Sequence, residues 1–175
     1  FLEQGIETTT IEQICERSGA SVGAIYHHFK NKEGIVSMLY LSALQDQSQQ
    51  RYQALKDVQG LQQGIAVLIH HYILWTVQHP QFARFLYTAR SNFSSETQSQ
   101  IERQNQQRNQ HLLSWIDQQS DATQLENIPY ELLFSLVIGP TENYCRAWLS
   151  GRVQTSPLHY QEQLARSAWY SLNTI

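Results

Sequence analysis

Three residues suited to capping helices, Thr10, Ser21 and Asn31, each stand before a short apolar series of helical spacing, and this succession of starts leaves the chain little local freedom. After Thr10 come Ile11, Ile14 and Cys15, an i, i+3, i+4 face too short for much more than two turns. Gln13 stands where a capping box needs it: the threonine oxygen takes the Gln13 amide, and the glutamine side chain reaches back. Gly19 can enter the left-handed conformation that closes a helix, and Ser21 can cap the next one. Val22, Ile25, Tyr26 and Phe29 give a second short period, and Asn31 caps a third helix from Lys32. Two short helices joined by a Ser-Gly-Ala turn predict a helix-turn-helix.

The remainder also reads as helix. Glycine and proline are scarce, 8 and 4 in 175 residues, which favours an all-α fold over strands and turns. The third helix is expected to run into the fifties with Ile35, Leu39, Leu41 and Leu44 inward. Residues 61–79 are apolar on nearly every side, as in a buried helix. Pro80 ends that helix, and residues 81–90 form a short aromatic one with Phe82, Phe85, Leu86 and Tyr87. The Gln-rich segment after Ser94 is predicted helical, exposed at its start and buried at its end by Leu112, Trp115 and Ile116. Residues 121–128 are expected to be loop. Pro129 takes the first position of a long helix over 129–150, kinked where Pro140 removes a donor after Gly139. Pro157 opens a last helix that reaches 173.

Several chemistries are excluded or unsupported. No apolar run approaches the roughly 18 residues of a membrane span, and no signal-peptide pattern opens the chain; a soluble, cytoplasmic protein without a membrane partner is expected. Cys15 and Cys145 lie far apart, without metal or disulfide spacing, and read as small buried thiols. Among seven histidines, His27-His28 and His70-His71 are adjacent pairs, which point about 100° apart on a helix. No His-Glu-x-x-His run, glycine-rich phosphate loop or nucleophile motif occurs. Neither metal nor cofactor nor catalytic residue is assigned, and the chain is not read as an enzyme.

A net charge of -3 offers no basic footprint for nucleic acid. Residues 1–34 hold only Arg17, Lys30 and Lys32 against Glu3, Glu7, Glu12, Glu16 and Glu33, so position must carry the case. A helix-turn-helix sets the N-terminal end of its second helix into the major groove. In that pose Ser21 caps the helix at the DNA, Val22 touches a thymine methyl and Gly23 admits the backbone closely. Tyr26, His28 and Lys32 point to phosphates, as does Thr10 through hydroxyl and amide; Lys30 is a weaker candidate. Further along, Tyr72, Trp75, Phe82, Phe85, Tyr87, Trp115 and Tyr144 are the candidate lining of a pocket for a small apolar or aromatic effector. The helices at 129–150 and 157–173 have the apolar content to pair with a twin as a homodimer.

The span Gly5 to Leu39, centred on "TTTIEQICERSGASVGAIYHHFKNKEGIV", resembles the DNA-binding region of the TetR/AcrR family of transcriptional regulators. The matching features are threonine before the first helix, a small residue after Ile14, Gly19 in the turn, then Ile25-Tyr26 and Phe29, then Lys32-Glu33. "IGPTENYCRAWLSGR" is similar to the penultimate helix of some members. The resemblance implies a helix-turn-helix DNA-binding domain over 1–39 and a helical ligand-binding and dimerisation domain over 40–175. It further implies a dimer on a palindromic double-stranded operator, released when a small molecule separates the two reading heads, with repression the usual mode. Phe1 to Gly5 would be the tail of the family's first helix. The chain opens on Phe1 rather than Met, so the earlier part of that helix, commonly basic, is expected to precede it. The competing reading, drawn from the acidic residues near the head, is a helical ligand-binding or scaffold dimer without DNA binding.

Overall fold

The computed structural model describes residues 1–89 and 93–172, and among these it contains nine α-helices and no strand. The start signals hold. Helix α1 (Ile11–Ser18) opens on a complete capping box, with Gln13 N–H on Thr10 Oγ1 at 3.3 Å and Thr10 N–H on Gln13 Oε1 at 2.8 Å. Gly19 closes it at φ 71°, donating to the Cys15 carbonyl at 2.9 Å. Ser21 Oγ accepts from Ala24 N–H at 3.1 Å to start α2 (Val22–Phe29), and Asn31 Oδ1 accepts from Gly34 N–H at 2.8 Å to start α3 (Lys32–Leu55). Before α1 the expected helical tail is a single turn, Gly5 N–H to Phe1 O at 2.9 Å, ended by Gly5 at φ 89°. Thr9, buried, ties α1 to that turn by donating to the Gly5 carbonyl at 2.7 Å.

The phase of α3 departs from expectation. Val36, Tyr40 and Ala43 form its buried stripe, whereas Ile35, Leu39, Leu41 and Leu44 are half-buried at its edges. Val36 and Tyr40 pack with Phe85 and Ala89 of α5 (Pro80–Ala89), Phe93, and Ile101 of α6 (Ser95–Asp117). The helix therefore rotates to meet partners that lie some fifty residues downstream and leave no mark on its own sequence. It crosses residues 39 and 40 without interruption.

Helix α4 (Leu61–Gln78) is the axis of the body. Leu61, Ile65, Ile69 and Ile73, at 0 to 4 % exposure, make one seam at i+4 steps. That seam shares a core with Leu133 and Val137 of α7 (Tyr130–Val137), Cys145 of α8 (Gly139–Leu149), and Ala165, Ala168 and Leu172 of α9 (Gln161–Leu172). Burial is not complete all round as expected: Leu74 is 45 % exposed. Pro80 both ends α4 and opens α5; the expected end of that helix at Arg90 lies outside the described residues.

The long helix expected over 129–150 is two helices. Pro140 has no N–H to offer the carbonyl four residues back, and α7 ends at Val137 before α8 begins at Gly139. Pro129 is the cap, one residue before the first helical position. Pro157 likewise opens a short 3-10 turn, Pro157–Tyr160, with α9 following; residue 173 lies outside the described residues. A second 3-10 turn, Ala122–Leu125, occupies the loop at 121–128. Ser94 caps α6, which is helical throughout yet fully buries only Ile101 and Leu112, with Trp115 and Ile116 half-buried. Among the described residues no helix is long and apolar enough to cross a membrane.

Candidate nucleic-acid interface and effector cavity

Helix α2 is held by one edge. Ile25 is buried and Phe29 half-buried, while Ser21, Val22, Gly23, Ala24, Tyr26, His27 and His28 are exposed, Val22 by 45 % and Tyr26 by 49 %. An eight-residue helix that buries one full side chain cannot persist alone in water, so its position depends on its two caps and its seat. The seat is tight: Lys30 turns the chain at φ 66°, Asn31 N–H reaches Phe29 O at 2.8 Å, and a Cβ on Gly34 would stand 1.9 Å from that same carbonyl oxygen. Thr10, Ser21, Val22, Gly23, Tyr26 and His28 are thus brought out to solvent, with Thr10 and Ser21 each at a helix N-terminus. Lys32 is half-buried instead, and its Nζ donates to the Glu7 carbonyl at 3.3 Å, so it also fixes the N-terminal segment.

The acidic residues of the head are partly spent internally. Glu3 pairs with Arg17 at 2.8 Å, an exposed and weak contact. Glu33 accepts from both the N–H and Oγ of Ser94 at 2.8 Å, and hydrogen bonds from Thr97 and Ser94 hold its carboxyl below the usual range. That bond joins the first turn of α3 to the cap of α6.

The body forms a half-open cavity of about 710 Å³ between α3, α4, α6, α7 and α8, within the size range of small-molecule sites. Of the seven aromatic residues expected to line it, Tyr72 and Trp115 do. Trp75 is 2 % exposed and donates from Nε1 to Asp46 Oδ2 at 2.8 Å, turned away from the cavity; Phe82 packs beside it and Leu149. Phe85 belongs to the α3–α5–α6 cluster. Tyr87 stands behind the wall: its hydroxyl meets that of Tyr72 at 2.8 Å, and the Arg146 guanidinium lies 4.1 Å over its ring. Burial pushes the Tyr87 hydroxyl up to about 12 and that of Tyr72 well above its ordinary value, so both stay neutral. Tyr144 meets Tyr160 edge to face and donates to Thr155 O at 3.0 Å, outside the cavity. Aromatic residues in a helical body are core pieces first, and only the packing decides which ones meet empty space.

Sequence reasoning missed the polar wall: Arg51, His71, Glu142 and Arg146 line the cavity, the last two paired with each other at 2.7 Å. Arg51 sits in a glutamine run that looks like a solvated helix end, and His71 looks like half of an uninformative pair. Of the two cysteines, Cys145 is fully buried, which pushes its thiol up to about 12, and Cys15 is half-buried. No cluster of metal-ligating side chains occurs among the described residues.

Residues 1–39 match the family described as bacterial regulatory proteins, tetR family. Curated relatives align over short stretches. The HTH-type transcriptional repressor KstR2 of Rhodococcus jostii (strain RHA1) is 37% identical over 46 residues, 26% of this chain and 22% of that protein. The transposon Tn10 TetC protein of Escherichia coli is 39% identical over 44 residues, 25% of this chain and 22% of its own length. The chain thus aligns with only about a fifth of either relative's length. Solved structures extend the likeness to the whole chain. PfmR from Thermus thermophilus, a TetR family transcriptional regulator, superposes with a TM-score of 0.70 at 18% identity, covering 95% of this chain and 92% of its own. The fatty acid degradation regulator FadR from Bacillus halodurans gives 0.74 at 12% identity, over 99% and 92%. At these identities the superpositions speak for the fold. A match to that family's model over residues 1–39 and a fold shared with solved regulators through the body thus meet on one chain.

Proposed function

We propose that the protein is a ligand-responsive transcriptional repressor that binds a palindromic operator as a homodimer. The observation that carries this reading is the exposure of α2, capped at its N-terminus and seated by Ile25 and Phe29 alone. Val22 and Gly23 read base edges, while Thr10, Ser21, Tyr26, His28 and the remaining donors of Lys32 hold phosphates. Two copies of α2 must stand roughly 34 to 36 Å apart to enter successive major grooves. The head, 1–39, and the body, 40–175, communicate through α3, which begins beside α2 and carries Gln47 and Arg51 into the cavity wall. An occupant that shifts α3 changes the spacing of the heads and weakens operator binding.

Dimerisation is assigned to the surface of 129–150 and 157–173. The inner face of α9 is spent on α4, and Tyr130, Leu132 and Leu158 remain 51 %, 41 % and 37 % exposed on adjoining elements. Leu132→Glu is expected to leave a folded monomer with weakened operator affinity, read by light scattering after gel filtration. A variant that stays dimeric at micromolar concentration places the contact elsewhere.

The DNA reading is tested with the protein's own upstream region in mobility shifts at low salt. Absence of any shift overturns it and favours a helical scaffold or ligand-binding dimer. Tyr26→Ala is expected to weaken binding to specific and random DNA alike by about tenfold, the loss of one phosphate hydrogen bond. Val22→Ala is expected to change which operator is preferred by about 1 kcal/mol while leaving random DNA untouched. Equal losses on both DNAs for Val22 contradict its placement at a base.

A further inference from the structure

We propose that the effector is an organic anion, an aliphatic or aromatic body carrying a carboxylate, with the carboxylate held by Arg51 and His71 Nε2. The proposal rests on the reading of the cavity as the effector site and names what that site selects. Leu61, Ile65, Leu68, Leu133, Phe134 and Val137 supply an apolar wall for the body of such a ligand.

The head group is indicated by what Arg51 lacks. Among the described residues Arg51 has no hydrogen bond or ion pair, although it is half-buried. The neighbouring carboxylates are committed elsewhere. Asp46 accepts from Trp75 Nε1 at 2.8 Å and Gln50 Nε2 at 2.9 Å, and Glu142 accepts from Arg146 Nη2 at 2.7 Å and Nε at 2.9 Å. A guanidinium withdrawn from water without a counterion is costly, and its planar fork matches a carboxylate. Burial, with the Arg108 charge beside it, holds Arg51 below its ordinary range, as an unpaired cation should be.

Two further observations point the same way. His71 Nε2 is buried on the same wall with no hydrogen-bond partner. Burial and the Arg51 charge hold the imidazole below its ordinary value, so it is neutral at pH 7 and can offer one N–H. Arg51 also stands where the apolar cavity meets a second one, of about 750 Å³ between α3 and α6. Lys56, Arg108 and His111 line that second cavity and no Asp or Glu does, in a chain whose net charge is -3. Basic groups on the lining of this second cavity, with no acid among them, favour entry of an anion.

The test is calorimetric titration of the full chain with dodecanoic acid and with dodecanol, each below its aggregation limit. The acid is expected to bind at least about tenfold tighter than the alcohol, the worth of a charge-assisted pair. Arg51→Gln is expected to remove that preference and leave the alcohol affinity unchanged, and Arg51→Lys to retain part of it. Equal affinity for acid and alcohol in the unaltered protein overturns anion capture while the cavity reading stands, and this comparison needs no variant to fold. A variant Arg51→Gln that folds, by circular dichroism, and keeps the full preference overturns the role of Arg51. If neither probe binds, the proposal and the cavity reading fall together, while DNA binding by α2 is scored separately by mobility shift.

Discussion

Gly34→Ala is expected to unseat α2 and to lower specific DNA binding by about a hundredfold, the effect of roughly 3 kcal/mol of misfit at a rigid contact. The added Cβ would lie 1.9 Å from the Phe29 carbonyl oxygen and 3.0 Å from its carbon. The obstacle is backbone, so no rotamer change relieves it. Moving that carbonyl breaks its 2.8 Å bond from Asn31 N–H, and with it the turn at Lys30, which already holds an unfavourable φ of 66°. The loss should stay local, because the core around α4 shares no residue with this turn. Hydrogen exchange is the measurement of choice: amides of α2 should lose protection in the variant while those of α4 keep it. Undiminished protection in α2 would mean that the turn accommodates the methyl and that α2 is not seated as described.

Gly64→Leu is expected to cost about 3 kcal/mol and to lower Tm by roughly 10 °C. Even a Cβ at this position would stand 1.9 Å from Trp115 Cη2, and the indole ring tip rests on the bare face of α4 there. Trp115 also lines the cavity, so a leucine drives the indole into the space a ligand would use or levers α6 off α4. Both outcomes alter tryptophan emission and abolish cavity binding. An unchanged melting temperature together with unchanged emission would contradict the packing of Trp115 on Gly64. A glycine inside a helix costs up to about 1 kcal/mol against alanine, and at Gly64, in the first turn of α4, the indole takes the room a side chain would fill.

These two glycines mark the two kinds of information in the chain. Gly34 answers to Phe29, five positions back, within the range over which a hydrogen bond or a clash is legible from letters. The Thr10 capping box, the Gly19 closure and the Ser21 and Asn31 caps were all of this kind, and all are present; at Pro140 the expected kink is a full break between two helices. Gly64 answers to Trp115, fifty-one positions away, and nothing near it in sequence names that partner. The same distance explains the wrong phase for α3, whose apolar residues cover more than one face. Ile35 and Leu39 offered as good a stripe as Val36 and Tyr40 until α5 and α6 selected one.

The cavity shows the limit most clearly. Seven aromatic residues were candidates on size and hydrophobicity, and two line it, because those properties are shared by core residues and ligand contacts alike. Arg51 and His71 carried no local signal at all; their meaning comes from being brought to one wall, twenty positions apart, with no acid left to pair them. What the sequence determined by itself was the helical character of the chain, the caps of its first three helices and the head that presents α2, since caps, turns and periodicity act within a few residues. Which helical faces close on one another, and so which side chains border empty space and which charge is left without a partner, was decided by tertiary packing alone, because contacts between distant segments depend on shapes that no short stretch of chain contains.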